Sequence, residues 1–216
     1  MTYMKSLFSR YFKYYLEGYI LFRQSIDFIE NLPLADLKLG YTLVLISKYS
    51  DETSQDSLIE LWNKAYYSDD NTAKARTEVL RQLDDGDICS VLIYERKMVG
   101  MSWFGFKEAA QRMDFSNIIS NEKQFLLTHH VFILPIYRGW AAQRFIFSFG
   151  VNQIRQNYDI NNLFVFVGMR NFASMRNSER DYAESRAIYH LKIEIPFFSF
   201  NVYPKKSQNT WRPCGK

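Results

Sequence analysis

The stretch that decides the fold runs from Val131 to Gln143 and reads VFILPIYRGWAAQ. Its first part is apolar and β-forming, and Pro135 ends it because proline has no backbone N–H to donate. Arg138 and Gly139 then form a turn, and a segment with helical spacing of apolar residues follows. The pattern predicts a strand, a tight turn and a helix in immediate succession.

The start of that helix has the properties of an anion site. The first amides of a helix lack intrahelical partners and carry partial positive charge. Gly139 can adopt any backbone conformation, and the small side chains of Ala141 and Ala142 leave the amides open. The segment therefore predicts a cradle for a pyrophosphate. It lacks the Lys-Ser/Thr of a P-loop and the three glycines of a dinucleotide fingerprint.

The flanking segments predict a chain that mixes strands and helices. Apolar, β-forming runs occupy 19–26, 41–47, 87–94, 98–106, 124–134, 162–169 and 186–203. Helical spacing predicts helices over 50–67, 72–83 and 138–157, and another from Asn171 to about Tyr182. Residues 3–16 are aromatic and basic and predict a short amphipathic helix. That helix either caps the domain or contacts a membrane surface or a partner.

In these features the chain resembles the GNAT superfamily of acyl-CoA-dependent N-acetyltransferases. The family signature reads roughly V-x-P-x-x-R-G-x-G-[IVLA]-[GA], and the family places N-x-x-[AS] just after its fifth strand. Ala141 replaces the second glycine of the signature, and Asn171-Phe-Ala-Ser174 supplies the second motif. The matching signature residues are Ile133, Pro135, Tyr137, Arg138, Gly139, Ala141 and Ala142.

The resemblance implies an α/β (α+β) fold with a central mixed sheet flanked by helices. It divides the chain into an N-terminal extension over 1–38, a GNAT-like acyltransferase domain over 39–204 and a polar tail over 205–216. It also implies acetyl-CoA, or another acyl-CoA, as the ligand. The residues implied to bind it are Phe132, Ile133, Arg138, Gly139, Trp140, Ala141, Ala142, Gln143, Asn171 and Ser174.

Two histidines are candidates for the general base. An amine must lose a proton when it attacks a thioester, and a group with a pKa near the working pH serves best. His129 and His130 lie on the strand that leads to the cradle, and strict alternation places them on opposite faces, His129 together with Val131 and Ile133. Some family members carry a basic histidine at this parity, so His129 is the first candidate and His130 the second. A non-catalytic histidine is the alternative at each position.

The sequence does not identify the residue that acts as the general acid. The family often has a tyrosine seven residues after the motif asparagine, where it protonates the departing thiolate. This chain has Ser178 at that position, and Tyr182 can replace the tyrosine only if the end of the helix is rearranged.

The implied reaction moves an acetyl or other short acyl group from CoA to an amine, less readily to a hydroxyl, by direct attack in a ternary complex. The segments that build the acceptor pocket are aromatic here, so an amino sugar is one candidate acceptor. The aromatic residues in question are Trp62, Tyr66, Trp103, Phe197 and Phe198. One alternative is a catalytically degenerate GNAT-like module that binds acyl-CoA or a protein partner. The other is an aromatic scaffold that acts through its N-terminal segment.

Composition argues against several other classes. The 216 residues carry a net charge of +4 without a long basic block, so nucleic acid is not an expected partner. We find no signal-peptide pattern and no apolar run that could span a membrane. Cys89 and Cys214 have no metal-ligand spacing and predict neither a metal site nor a disulfide. We expect a cytoplasmic protein, and a homodimer is compatible with the sequence.

Overall fold

A computed structural model describes residues 13–29, 33–67, 71–112, 124–168, 184–195, 198–202 and 212–214, together with Ile119, Asn171, Ser174 and Ser178. Their contacts define two compact units. One unit is Ser25–Leu163, and the other combines Met1–Gln24 with Phe164–Lys216. Within the described residues, every helix is too short or too polar to traverse a lipid bilayer.

The unit over Ser25–Leu163 contains an antiparallel sheet with helices on its faces. Its strands, in spatial order, are β2 (Tyr41–Ile46), β3 (Ile88–Tyr94), β4 (Lys97–Gly105) and β5 (Phe125–Ile133). Its helices are α1 (Glu52–Tyr66), α2 (Thr72–Asp84), α3 (Lys107–Arg112) and α4 (Ala142–Ile154).

Local sequence explains where these elements begin and turn. The Asp51 carboxylate accepts a hydrogen bond from the Ser54 amide at 2.9 Å and caps α1. Glu95 and Arg96, with φ of 48° and 65°, form the turn between β3 and β4. Two successive residues with positive φ give a turn whose twist matches that of the flanking strands. The β-forming runs predicted over 87–94 and 98–106 therefore form an antiparallel hairpin.

The sheet is covered on both faces, and each face has its own apolar cluster. Burial of such side chains supplies about 1.5–3 kcal/mol each. The face toward α1 and α2 includes Ile46, Leu58, Trp62, Val79, Val91, Met101 and Trp103. The face toward α4 includes Leu92, Val99, Ile133, Ala142 and Ile146.

The other unit is built mainly of strands. In chain order they are β1 (Lys13–Ser25), β6 (Asn162–Gly168), β7 (Glu184–Ile195), β8 (Phe198–Val202) and β9 (Arg212–Pro213). Their spatial order is β6, β1, β7, β8, and β9 also pairs with β7. β1 runs antiparallel to β7 from Lys13 opposite Glu194 to Arg23 opposite Glu184. The N-terminal strand therefore lies between two strands from the C-terminal part of the chain.

One expectation about these elements is wrong, and two features were not predicted. Residues 13–16 are strand rather than helix, because pairing with β7 overrides their helical spacing; residues 3–12 lie outside the described part. The tail contains a paired segment, since Arg212 and Pro213 lie opposite Ser185 and Glu184. The polar stretch after β4 holds α3, which no clear sequence pattern predicts.

Candidate active site

The turn between β5 and α4 has the geometry that the sequence predicts for a cradle. Pro135–Tyr137 forms a short 3-10 turn, so α4 begins at Ala142 rather than at Arg138. Gly139 has a φ of 90°, a conformation that side chains other than glycine rarely adopt. A Cβ atom at Gly139 would meet no other atom within 4 Å. The space beside this residue is therefore open.

Three consecutive amides of that turn have no hydrogen-bond partner among the residues that the structure describes. Arg138 donates its amide to the Pro135 carbonyl at 3.2 Å, and Ala142 donates to the Trp140 carbonyl at 2.6 Å. Within the part of the chain that the structure describes, the amides at 139–141 donate to no protein group. Three unpaired N–H groups beside the positive end of α4 are able to bind an anionic group such as a phosphate.

The side chains of the turn hold it in place. Arg138 donates from Nε to the Ile133 carbonyl at 2.8 Å, and its guanidinium lies 5.8 Å from the Phe132 ring centroid. The Trp140 ring packs on Tyr41, with ring centroids 4.7 Å apart. Ala142 is buried in the α4 cluster, so its methyl group packs on the sheet. Gln143 is exposed on the first turn of α4.

The second predicted motif lies in the other unit. The Ser174 amide donates to the Asn171 side-chain oxygen at 3.2 Å, which is the hydrogen bond of a helix N-cap. Asn171 is therefore confirmed as a helix cap. Ser178 is helical and buried. Tyr182, the candidate acid, lies outside the described residues.

A β-bulge shapes the strand that carries the two histidines. Met101 pairs with Phe132 and Trp103 pairs with His129, so the single residue between them on β4 faces two residues on β5. His130 occupies the bulge with a φ of 49°, a left-handed conformation that is uncommon for residues other than glycine, although asparagine, aspartate and histidine adopt it more often than the rest. A left-handed residue breaks the alternation of a strand.

The prediction that the histidines point to opposite faces is therefore wrong. Their ring centroids are 5.1 Å apart, and His129 stacks on Trp103 at 6.3 Å. His129 also does not share a face with Ile133, which packs in the α4 cluster. Both histidines lie on the side of α1, where His130 contacts the Trp62 ring at 4.8 Å.

The two histidines differ in their access to solvent. The His129 side chain is fully buried, whereas His130 is only half-buried. The His130 ring lies 5.4 Å from the ring of Tyr66, a residue with 41% exposure. His130 is therefore the histidine that a ligand beside Tyr66 would reach first.

The ion pair of Asp87 and Arg112 lies on the buried side of His129. Its Nε2 atom lies 3.1 Å from Asp87 Oδ2, although the ring is not aligned for a hydrogen bond. Asp87 lies just before β3 and is almost fully buried. Arg112, from α3, contacts the same Asp87 oxygen and also lies 2.7 Å from Asp85. Gly105 allows this close approach, because a Cβ there would lie 2.7 Å from Asp87 and 3.1 Å from His129 Nε2.

Burial keeps both histidines neutral. Desolvation lowers the pKa of His129, and Asp87 opposes this effect. The pKa of His130 falls to about 3, first through burial and then through the charges of His129, Arg112 and Arg81. Burial also raises the pKa of Tyr66. Near pH 7 the histidine pair is thus uncharged and able to accept a proton.

The lowered pKa of His130 predicts a pH-dependent stability. The unfolded chain takes up a proton near pH 6.5 and the folded chain only near pH 3, so the contribution of His130 is complete above 6.5 and is lost as the pH falls. Each pH unit between about 3 and 6.5 changes the contribution of His130 to the free energy of unfolding by up to about 1.4 kcal/mol. We expect wild type to lose about 1–2 kcal/mol more than His130→Asn between pH 6.5 and 5 in urea unfolding.

Asparagine is used there because it tolerates a left-handed backbone. Arg96→Asn, at another residue with positive φ, is the control and should follow wild type. Parallel pH curves for wild type and His130→Asn would contradict the burial of a neutral His130.

Of the aromatic residues expected around an acceptor, the structure brings two to the half-buried His130. Tyr66 and Trp62 contact His130, and Tyr66 also lies 6.5 Å from the Phe132 ring. Trp103 is wrong as a pocket residue, because it is fully buried in the core. The position of Phe197 and the side chain of Phe198 lie outside the described part of the chain.

Sequence reasoning missed Asp87 and Arg112. Asp87 is an acidic residue at the first position of an apolar strand segment, which is an unusual place for a charge and is the one signal that could have pointed to it. Arg112 lies in a polar stretch without a distinguishing pattern. Their pairing across 25 positions depends on the packing of α3.

The comparisons with known proteins concern the fold. No protein-family model and no curated protein matches the chain. A conserved protein of unknown function from Staphylococcus epidermidis is 8% identical over 90% of this chain and 67% of its own, with a TM-score of 0.58. A Drosophila protein is 10% identical over 90% of this chain and 56% of its own, with a TM-score of 0.55.

A tandem GNAT protein from the clavulanic acid biosynthesis pathway is 11% identical over 99% of this chain, with a TM-score of 0.52. The present chain spans 59% of that protein's length. At this identity the likeness concerns the fold alone. The resemblance to the GNAT superfamily is confirmed at that level, and the chain has the GNAT-like mixed sheet flanked by helices that the sequence predicts.

Proposed function

We propose that this chain transfers an acyl group from a CoA thioester to an amine. The observation that carries the proposal is the row of unpaired amides at 139–141, at the positive end of α4 and beside an open, left-handed Gly139. β5 leads from the neutral histidine pair directly to this turn. A phosphate-binding turn and a proton acceptor on one strand are what acyl transfer from CoA requires.

The amides at 139–141 bind the pyrophosphate in this proposal, and Arg138 holds the turn against the end of β5. His130 lies five residues before Pro135, which corresponds to roughly 16 Å along an extended strand. The ligand that joins the two sites must therefore have a long arm, as CoA has. In the other unit, Asn171 and Ser174 remain proposed as ligand contacts.

In the reaction, the amine nitrogen forms a bond to the acyl carbon, and the bond between carbon and sulfur breaks. His130 accepts the proton that the amine loses, because it is the half-buried member of the pair, while His129 is closed off by Asp87 and Trp103. The departing thiolate takes up a proton, for which Tyr182 remains the proposed donor. Binding the thioester and the amine together lowers the entropic part of the barrier.

Direct attack agrees with the state of the cysteines. Cys89 is fully buried, and burial raises its pKa well above the usual value, so it does not supply a reactive thiolate. Cys214 lies just after β9 in the other unit. Cys89 is therefore not proposed as a nucleophile, and no acyl-enzyme is proposed.

Tyr66 and Trp62 make the surroundings of His130 aromatic, which suits a sugar ring or an apolar group next to the reacting amine. An amino sugar therefore stays among the proposed acceptors, and a cytoplasmic location stays part of the proposal. The second candidate is a catalytically degenerate module that binds acyl-CoA. The buried Ser178 in place of the family's tyrosine favours it.

Two measurements on the wild-type protein test the proposal. Calorimetry with acetyl-CoA at millimolar concentration should detect binding, and a thiol-release assay with amino sugars, amino acids, polyamines and peptides should show turnover with at least one acceptor. Binding without turnover on the whole panel would favour the degenerate module. Absence of binding would refute both.

A further inference from the structure

We propose that Asp87 is a positioning residue for this acyl transfer, acting through His129 to support a proton on His130. The proposal rests on the proposed function and adds to it a buried relay. The relay consists of three groups in contact, Asp87, His129 and His130. It runs from the interior of the domain to the half-buried ring beside Tyr66.

The strain at His130 gives the first argument. A non-glycine residue with a φ of 49° costs roughly 1–2 kcal/mol relative to an extended one. An extended residue would point its ring to the opposite face of the sheet. The bulge instead brings the ring to 5.1 Å from His129 and 4.8 Å from Trp62. The strained backbone therefore joins the two histidines into one unit.

Charge gives the second argument. A chain of ion pairs links α2 and α3 to the relay: Arg81 lies 2.6 Å from Glu78 and 3.9 Å from Asp85, and Arg112 bridges Asp85 and Asp87. Two guanidinium groups against three carboxylates leave one negative charge. A single proton on the histidine pair neutralises it. Asp87 and Arg112 are the least exposed members of this chain of ion pairs, and charge compensation matters more for them than for the solvent-exposed Arg81, Glu78 and Asp85.

Unused bonding capacity gives the third argument. Asp87 Oδ1, the buried oxygen that Arg112 does not contact, has no hydrogen-bond partner among the described residues, and neither has His129 Nδ1. The carboxylate near Nε2 favours a proton on that atom, which leaves Nδ1 as an acceptor. When His130 takes a proton from the amine, the uncharged Nδ1 and the carboxylate behind it stabilise the new cation.

The structure predicts opposite effects for two substitutions. Asp87→Asn removes the negative charge and should lower the pKa of the histidine pair further. Arg112 carries a positive charge that lowers the pKa of both histidines. Arg112→Gln removes this charge, so the variant should raise both pKa values. The other charged or titratable groups that act on the pair are Tyr66 from α1 and Arg81 from α2, and both variants keep them.

The experiment measures kcat against pH by thiol release and histidine pKa values and tautomers by nitrogen-15 NMR. The variants are Asp87→Asn, Arg112→Gln and the control Asp56→Asn, which breaks an exposed ion pair with Arg76. We expect Asp87→Asn to lower kcat about tenfold, less than the loss of a general base would. Its acetyl-CoA affinity should not change, and the control should match wild type.

The NMR measurement tests the relay independently of the proposed function. If the wild type shows no turnover, the proposed function fails, but the relay is still tested by the titration of His129 and His130, with His190 as a third histidine for reference. Opposite pKa shifts in Asp87→Asn and Arg112→Gln support the relay. Shifts in the same direction, or none, would overturn it, and so would a folded Asp87→Asn variant with the kcat and pH profile of wild type.

Discussion

We expect His130→Asn to lower kcat by about 100- to 10,000-fold and to leave the affinity for acetyl-CoA nearly unchanged. That range is the usual contribution of a general base. Asparagine keeps the left-handed backbone of the bulge, so the variant removes the imidazole without forcing β5 to rearrange. The amide at this position cannot take up a proton near neutral pH. Thiol release under saturating acyl-CoA, together with calorimetry, gives both quantities.

Two comparisons make this result specific. Arg96→Asn changes a residue with positive φ in the β3–β4 turn and should keep full activity. His129→Gln should lower stability, since it disturbs a fully buried contact with Asp87. It should also lower kcat about tenfold, as Asp87→Asn does, because the proposed relay passes through His129. If His129→Gln abolished turnover while His130→Asn spared it, His129 would be the base, as strand parity alone suggests. If both variants kept full activity, the enzyme would act by positioning its substrates.

The pH dependence of the reaction also follows from burial. An unperturbed histidine predicts an ascending limb near pH 6–7. Because the pKa of His130 is about 3, the limb that it causes should lie below about pH 5. A base this weak is always unprotonated at neutral pH, and it relies on neighbouring charges to hold the proton that it receives. Asp87 is the group placed to supply that charge.

Much of the fold could be predicted because it depends on local patterns. The cap at Asp51, the turn at Glu95 and Arg96, and Pro135 at the end of β5 each act within a few residues of themselves. β1 could not be placed in the same way. Its aromatic, basic sequence fits a helix as well as a strand, and only pairing with β7, more than 150 positions away, decides between them.

The candidate site likewise combines features set by local sequence with features set by tertiary contacts. Gly139 and the helix start after it are visible in the sequence, since a left-handed turn before a helix favours glycine and small residues. The bulge at His130 is not, because histidine is only moderately enriched at positive φ and the extra residue is defined only by pairing with β4. One such residue was enough to change the face on which His130 lies. Asp87 and Arg112 were missed because their pairing is a tertiary contact.

Gly139→Val is expected to weaken acetyl-CoA binding by more than about tenfold. Valine strongly disfavours a φ of 90°, so the turn must change its backbone and move the amides at 139–141 out of line. The open space beside Gly139 means that no protein atom lies within 4 Å of the new Cβ atom. The loss would therefore come from the backbone and from the ligand that occupies this space.

Gly86→Val is the matched control for that measurement. Gly86 also has a φ of 90°, and a Cβ atom there would likewise meet no other atom within 4 Å, but it lies in the turn between α2 and β3. Both variants carry the same backbone strain and should lose similar stability in thermal unfolding. Only Gly139→Val should lose affinity in calorimetry with acetyl-CoA. Equal affinities for the two variants and wild type would show that the turn before α4 does not hold the pyrophosphate.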